Sequence, residues 1–177
     1  MQITTVRRVV TGHDDNGQAV VVADDIVDGT FHRPDRPVAL TDLWAIASVP
    51  VTGGGKNEPK QESFSLAPPK NGVVFRVVQF DPEPPGTRNR TDGSEVFAAM
   101  GAGGNHVASR HPYMHRTNTV DFAIVLQGSI TMLLDQEDVE LSAGDVVIQR
   151  CTNHAWSNRG TKTCLVAFIL VDARLDP

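Results

Sequence analysis

The sequence predicts an all-β domain, a sandwich or barrel with one short helix. Short Val-rich stretches recur along the chain, turns bearing Gly or Asn divide them, and only one segment carries an apolar stripe at helical spacing. Many short strands in one domain-sized chain stack as a sandwich or close into a barrel. With 177 residues the chain reads as one domain over 1–177. Positions 1–70 hold N-terminal strands and a flexible loop, 71–111 a connecting strand and the helix, and 112–172 the densest strand pattern.

Residues 7–11 and 18–23 flank His13-Asp14-Asp15-Asn16-Gly17, a turn-forming cluster ending in Asn-Gly, and so predict a hairpin. Residues 39–48 form a further strand with Leu43 and Trp44 as its bulk. Between 51 and 69 the pattern gives way to a long polar, mobile loop. Its Gly53-Gly54-Gly55-Lys56 lacks the spacing of a phosphate-binding loop, and no helix follows it. Residues 73–80 make a dense strand closed off by Pro82, Pro84 and Pro85. The helix falls near 92–101, with Asp92 as N-cap, Glu95 three residues on, Val96, Phe97 and Met100 as its apolar stripe, and Gly101 at its end. Strands then run over 115–126, 129–135, 139–141, 145–149 and 164–172.

Composition narrows the function. Sixteen Lys and Arg against 21 Asp and Glu give a net charge of −5 with no basic run, which argues against nucleic acid. No apolar run reaches the roughly 20 residues of a membrane span, and the N-terminus lacks the order of a signal peptide. Two cysteines, Cys151 and Cys164, are not a disulfide framework. A soluble, cytoplasmic protein without membrane partners is the expectation.

Four of the six histidines fall between 106 and 154. In a strand from His115, side chains alternate, so His115, Thr117, Thr119, Asp121, Ala123 and Val125 share one face. That face is polar at one end and small and apolar at the other, which suits the lining of a barrel pocket. His154, Trp156 and Asn158 also share parity. Tyr113, Met114, Trp156 and Phe168 offer a surface for a flat ligand. His106 and His111 flank the mouth of the pocket or lie on the surface, and His13 and His32 read as solvated. Asn158 reads as a turn-closing hydrogen bonder, and Cys151 as a buried, inert thiol.

The two segments resemble the paired motifs of the cupin superfamily. The first motif, His-x-His, three or four residues, Glu, six residues, Gly, is matched by His115-x-Thr117, Asp121 and Gly128. The second is matched by Gly144-Asp145 and His154-x-x-x-Asn158. The resemblance covers about 112–172 and implies a double-stranded β-helix (jelly-roll) barrel with an N-terminal β extension and a site inside. It also implies a metal held by three His and one Glu. Here Thr117 replaces the second His and Asp121 the Glu, so the ligand set is degenerate. His115, Asp121 and His154 remain as a two-His, one-carboxylate set for one divalent ion such as Zn, Fe, Mn or Ni, or as a metal-free acid/base group.

Three function classes follow. The first is non-redox chemistry (decarboxylation, dehydration, cyclisation or isomerisation) on an oxygenated, aromatic or polyketide-like small molecule. His115, Asp121 and His154 would be catalytic, and Thr117, Trp156, His111, Met114 and Phe168 would contact substrate. The second is an iron-dependent dioxygenase, and the third a non-catalytic ligand-binding module. The unpaired edges of the N-terminal hairpin, together with the resemblance, predict a homodimer.

Overall fold

The computed structural model describes residues 2–27, 30–32, 36–51, 53, 64–87, 93–102, 104 and 110–175. Asp92, His106 and most of the 51–69 loop lie outside them, and the N-cap of the helix is Gly93 rather than the expected Asp92, with no side-chain hydrogen bond at the cap. Among the described residues the elements are β1 (Val6–His13), β2 (Ala19–Val27), β3 (Thr30–His32), β4 (Val38–Ile46), β5 (Val73–Phe80), α1 (Ser94–Ala99), β6 (Thr119–Gln127), β7 (Ser129–Leu133), β8 (Asp138–Ser142), β9 (Val146–Arg150), β10 (Ala155–Ser157) and β11 (Cys164–Asp172). The protein is all-β, as the sequence predicts, and its strand pairings are antiparallel.

A six-stranded sheet in the order β3-β4-β5-β11-β6-β9 faces a three-stranded sheet in the order β10-β7-β8. The alternating pattern drives this packing. Thr119, Asp121, Ala123 and Val125 of β6 are buried while Phe122 and Leu126 between them are exposed. Val74, Arg76, Val78 and Phe80 of β5 point the same way. Between the sheets these side chains meet Ile130, Met132, Leu141 and Trp156 in one core. Helix α1 adds Phe97, and Met100 beyond its end joins the same core.

The N-terminal hairpin forms as a separate two-stranded sheet. At its turn the Asp14 carboxylate accepts from the backbone N–H groups of Asn16 and Gln18, and Gly17 takes φ 75°. The base of the hairpin packs Val6 and Val27 onto Leu43, Val77 and Ala167, on the face of the large sheet opposite the core. Val9, Val21 and Ile26 stay exposed.

Four other expectations are corrected. The strand expected from 115 begins at Thr119, because β9 ends at Arg150 and β11 at Asp172, leaving 115–118 no neighbouring ladder except a bridge at His154. Strands β3 and β10 have three residues each, too short to show a period in sequence. His32 is half-buried, its Nε2 shielded from solvent, so it is not a solvated group. Cys151 is half-buried rather than buried, and it adopts φ 51°, a left-handed turn that ends β9 and directs the chain toward β10.

Gly128, between β6 and β7, has φ 77°, and a Cβ there would lie 2.7 Å from the Thr163 carbonyl oxygen. Gly144 has φ 96° with open space around it. Gly128→Ala is therefore expected to cost about 2–3 kcal/mol, strain plus a backbone clash, against about 1 kcal/mol of strain alone for Gly144→Ala. Urea denaturation of both variants measures this. Equal losses would contradict the close approach at Gly128.

Candidate active site

The site begins with two backbone hydrogen bonds. His115 N–H donates to the His154 carbonyl and His154 N–H to the His115 carbonyl, each at 2.9 Å. This reciprocal bridge brings together the two segments that the sequence singled out. It sets the imidazoles with centroids 4.2 Å apart and planes inclined by 51°.

Both tautomers are fixed the same way. His115 Nδ1 lies 3.0 Å from the Tyr113 carbonyl oxygen, and His154 Nδ1 lies 3.0 Å from that of Thr152. A carbonyl only accepts, so each Nδ1 carries the proton and each Nε2 is the basic nitrogen. Burial, and then the neighbouring His115, hold the His154 pKa well below the ordinary 6.5, outweighing the Thr152 carbonyl, which raises it.

The two rings open onto a cavity of about 140 Å³. A cavity of this order accepts a single aromatic ring. Its walls are mostly apolar: Val38, Leu40 and Val78 from the large sheet, Val96, Phe97 and Met100 from the helix and the turn after it, and Trp156, Phe168 and Leu170. Phe97 lies 4.7 Å from the His115 ring, and Phe168 meets Trp156 edge-on at 5.3 Å. The polar lining is Arg36, Arg76, Tyr113, His115, Thr117, Asp121 and His154.

Asp121 is 3% exposed. Its Oδ2 accepts from Gln149 Nε2 at 3.0 Å, across the β6–β9 pair. Burial pushes its pKa up to about 6, against the lowering effects of the Thr119 hydroxyl and of the Arg76 charge. Thr119 in turn shares a 2.7 Å hydrogen bond with the Thr117 hydroxyl.

The expected three-ligand metal set of His115, Asp121 and His154 is not assembled. Among the described residues no three His, Cys, Asp or Glu side chains converge where an ion could sit. The histidines meet, but Asp121 is turned to Gln149 and Thr119. An Asp is one methylene shorter than the Glu of the motif, which keeps the carboxylate close to its own strand.

Of the expected ligand-contacting residues, Thr117, Trp156 and Phe168 line the cavity, whereas His111 and Met114 do not. Met114 is fully buried against Leu133 and Ala155. His111 is a brace. Its Nδ1 accepts from the Tyr113 N–H at 3.3 Å, and its Nε2 lies 3.4 Å from Glu83, which also accepts from the Ser157 hydroxyl at 2.9 Å. Asn158 closes a turn as expected, donating to the Phe80 and Lys162 carbonyls.

Arg76, 2% exposed, is the residue that sequence reasoning passed over. It pairs with Asp42 at 2.9 Å, donates to the carbonyls of Ser65 and Leu66, and lies over the Phe64 ring. Phe64 stacks on Phe31 with centroids 4.7 Å apart. Arg76 thus ties 64–66 to the barrel, and Leu66 becomes part of the cavity wall. The last part of the region read as a polar loop is therefore packed. The available signal was parity, since a lone charge on the inward face of an apolar strand needs a partner.

A family model described as Cupin domain matches residues 100–171. Phomopsin biosynthesis cluster protein C' of Diaporthe leptostromiformis is 43% identical over 183 residues, covering 98% of this chain and 82% of that protein. The cupin-domain-containing oxidoreductase fogC of Aspergillus ruber is 26% identical over 181 residues, covering 96% of this chain and 74% of that protein. Among solved structures, a cupin 2 conserved barrel domain protein from Salinispora arenicola aligns with a TM-score of 0.43 and 13% identity, over 80% of this chain and 81% of that one. The chain belongs to the cupin domain family.

Ionising Asp121 opposes folding. Its folded pKa of about 6 exceeds the ordinary 3.8, so the native state binds the extra proton between these values and stability falls as pH rises through that window. Asp121→Asn is expected to raise stability by about 2–3 kcal/mol above pH 6, the gain shrinking toward pH 4. Thermal melts at pH 7.5, 5 and 4 check both sign and window. A gain independent of pH would contradict a buried, ionisable Asp121.

Proposed function

We propose that this cupin is a small-molecule enzyme in which the paired histidines move protons on an uncharged, oxygenated, ring-bearing substrate. The observation that carries this reading is two imidazoles 4.2 Å apart at the polar end of an apolar cavity, each bonded through Nδ1 to a carbonyl, with the His154 pKa held well below 6.5. A neutral Nε2 is a competent base at neutral pH, and the mostly apolar walls strengthen each electrostatic contact with the substrate.

The chemistry proposed is non-redox. One imidazole Nε2 takes a proton from the carbon next to a carbonyl, and the C–H electron pair moves into the enolate. The proton then returns to another atom of the substrate, giving isomerisation, or leaves with a hydroxide as water, giving dehydration. Thr117 and Asp121 bound the polar end, and Trp156, Phe168 and Phe97 hold the ring. Cyclisation through a carbon nucleophile belongs to the same class, since it passes through a comparable enol or enolate, whereas decarboxylation would need a carboxylate substrate.

A second reading, oxidation of the substrate, is favoured by relatives named as oxidoreductases, such as that of Aspergillus ruber. We also propose that the protein works as a homodimer. Exposed Phe122, Val146 and Ile148 on the large sheet, with Val21 and Ile26 on the hairpin, support this, since together they leave apolar surface for a second copy to cover.

The test is proton exchange into a ketone probe. In D2O the protein is expected to speed deuterium uptake at the methyl group of 4-hydroxyacetophenone, followed by NMR. His115→Ala and His154→Ala should lower that rate about 100-fold or more, while His13→Ala and His32→Ala leave it nearly unchanged. Equal rates in all four variants would overturn the assignment. Oxygen uptake with formation of an oxidised product would favour the second reading.

A further inference from the structure

Among the described residues, Asp121 Oδ1 and Trp156 Nε1, buried atoms of residues that line this cavity, have no hydrogen-bond partner. One is an acceptor and the other a donor. Buried polar groups are ordinarily satisfied, and an indole N–H in a core almost always finds an acceptor. Leaving both unpaired costs stability, so their pairing points to an occupant that supplies the missing partners.

The charge balance of the cavity bears on what that occupant is. The Arg76 guanidinium is matched by Asp42 and by the Ser65 and Leu66 carbonyls. Both histidines carry their proton on Nδ1, turned to backbone carbonyls. Arg36 is engaged with Tyr113, its guanidinium also lying over that ring. Of the two guanidinium groups, that of Arg76 is thus matched by a carboxylate and that of Arg36 is held by Tyr113, and most of the wall is apolar.

We infer that Asp121 and Trp156 select the substrate: Asp121 accepts the hydroxyl or amine proton of an uncharged ring compound, and the Trp156 N–H donates to a carbonyl-type oxygen on the same molecule. The inference rests on the proposed reading of this cavity as a substrate site and deepens it by naming the substrate class, a hydroxylated aromatic or enolic ketone. Asp121 is then a specificity residue. Gln149 is its positioning residue, because the bond from Gln149 Nε2 holds Oδ2 and leaves Oδ1 for the ligand.

Three probes of similar size test this by calorimetry on the full chain. 4-Hydroxyacetophenone has both donor and acceptor, 4-methoxyacetophenone lacks the donor, and 4-ethylphenol lacks the carbonyl. Wild type should bind the first 10- to 100-fold more tightly than the second, the range of a hydrogen bond to a charged group. In Asp121→Asn the amide oxygen takes over the bond from Gln149 and the NH2 group faces the ligand. Hydroxyl and methoxy oxygens both accept from it, so the preference should fall to about onefold. Trp156→Phe should instead erase the preference of the first probe over the third while keeping that over the second. Thermal melts establish that each variant is folded, and if one is not, the wild-type probe ratios still decide.

An equal hydroxyl preference in wild type and Asp121→Asn would overturn the Asp121 assignment and leave the cavity as a substrate site. Loss of the preference on treating wild type with EDTA would also overturn it, by assigning the selection to an ion. No binding of any probe to wild type would overturn the inference and the ring-sized substrate with it, whereas failure of proton exchange alone would remove the catalytic reading and leave the selection intact.

Discussion

Everything at the polar end of this barrel depends on one backbone contact, the double hydrogen bond between His115 and His154. Neither residue belongs to a continuous strand. The chain before β6 has lost its sheet neighbours, and the chain after β9 has just turned through the left-handed Cys151. Each segment satisfies its buried amides with the other, and the two side chains are fixed together as a result. Because the carbonyls two residues upstream of each ring hold Nδ1, the bridge also sets which nitrogen is basic. A strand that simply continued from 115 would have placed the first histidine on a ladder and the second elsewhere.

Around that contact the fold distributes charge so that the cavity stays close to neutral. Arg76 is costly to bury, and its cost is offset by Asp42, two carbonyls and an aromatic face. The same side chain anchors 64–66, so one buried cation both closes the cavity wall and lies near enough to Asp121 to lower its pKa. Asp121 still titrates high, because burial outweighs both Thr119 and Arg76. A carboxylate held at a cost in a lined cavity, with one oxygen unpartnered, is better understood as serving a ligand than as serving the fold.

Much of this was legible in the sequence. The hairpin, the long strands and the helix follow from Asn-Gly turns, Val alternation and the Val96, Phe97, Met100 stripe. The burial of Thr117, Thr119, Asp121, Ala123 and Val125 on one face follows from parity alone. The resemblance of the two motif segments identified His115 and His154 as meeting residues. Other features needed three dimensions. The fate of Asp121 depends on Gln149, which is 28 positions away and carries no motif. Strands β3 and β10 are too short to show a period. His111 and Met114 lie next to the site in sequence, yet the turn at 111–114, closed by the Met114 N–H to His111 carbonyl bond, leaves both off the cavity lining. Arg76 was hidden within an apolar run, where its partner Asp42 is adjacent only through the pairing of β4 and β5.

Both histidines of the site hold a proton on Nδ1 against a backbone carbonyl, and burial keeps His154 neutral. Nitrogen and carbon NMR of histidine-labelled protein reads tautomer and titration directly. His154 is expected to show an Nδ1–H imidazole at pH 7 and not to titrate until well below its ordinary value of 6.5. An Nε2–H tautomer, or an imidazolium already present at neutral pH, would contradict this assignment.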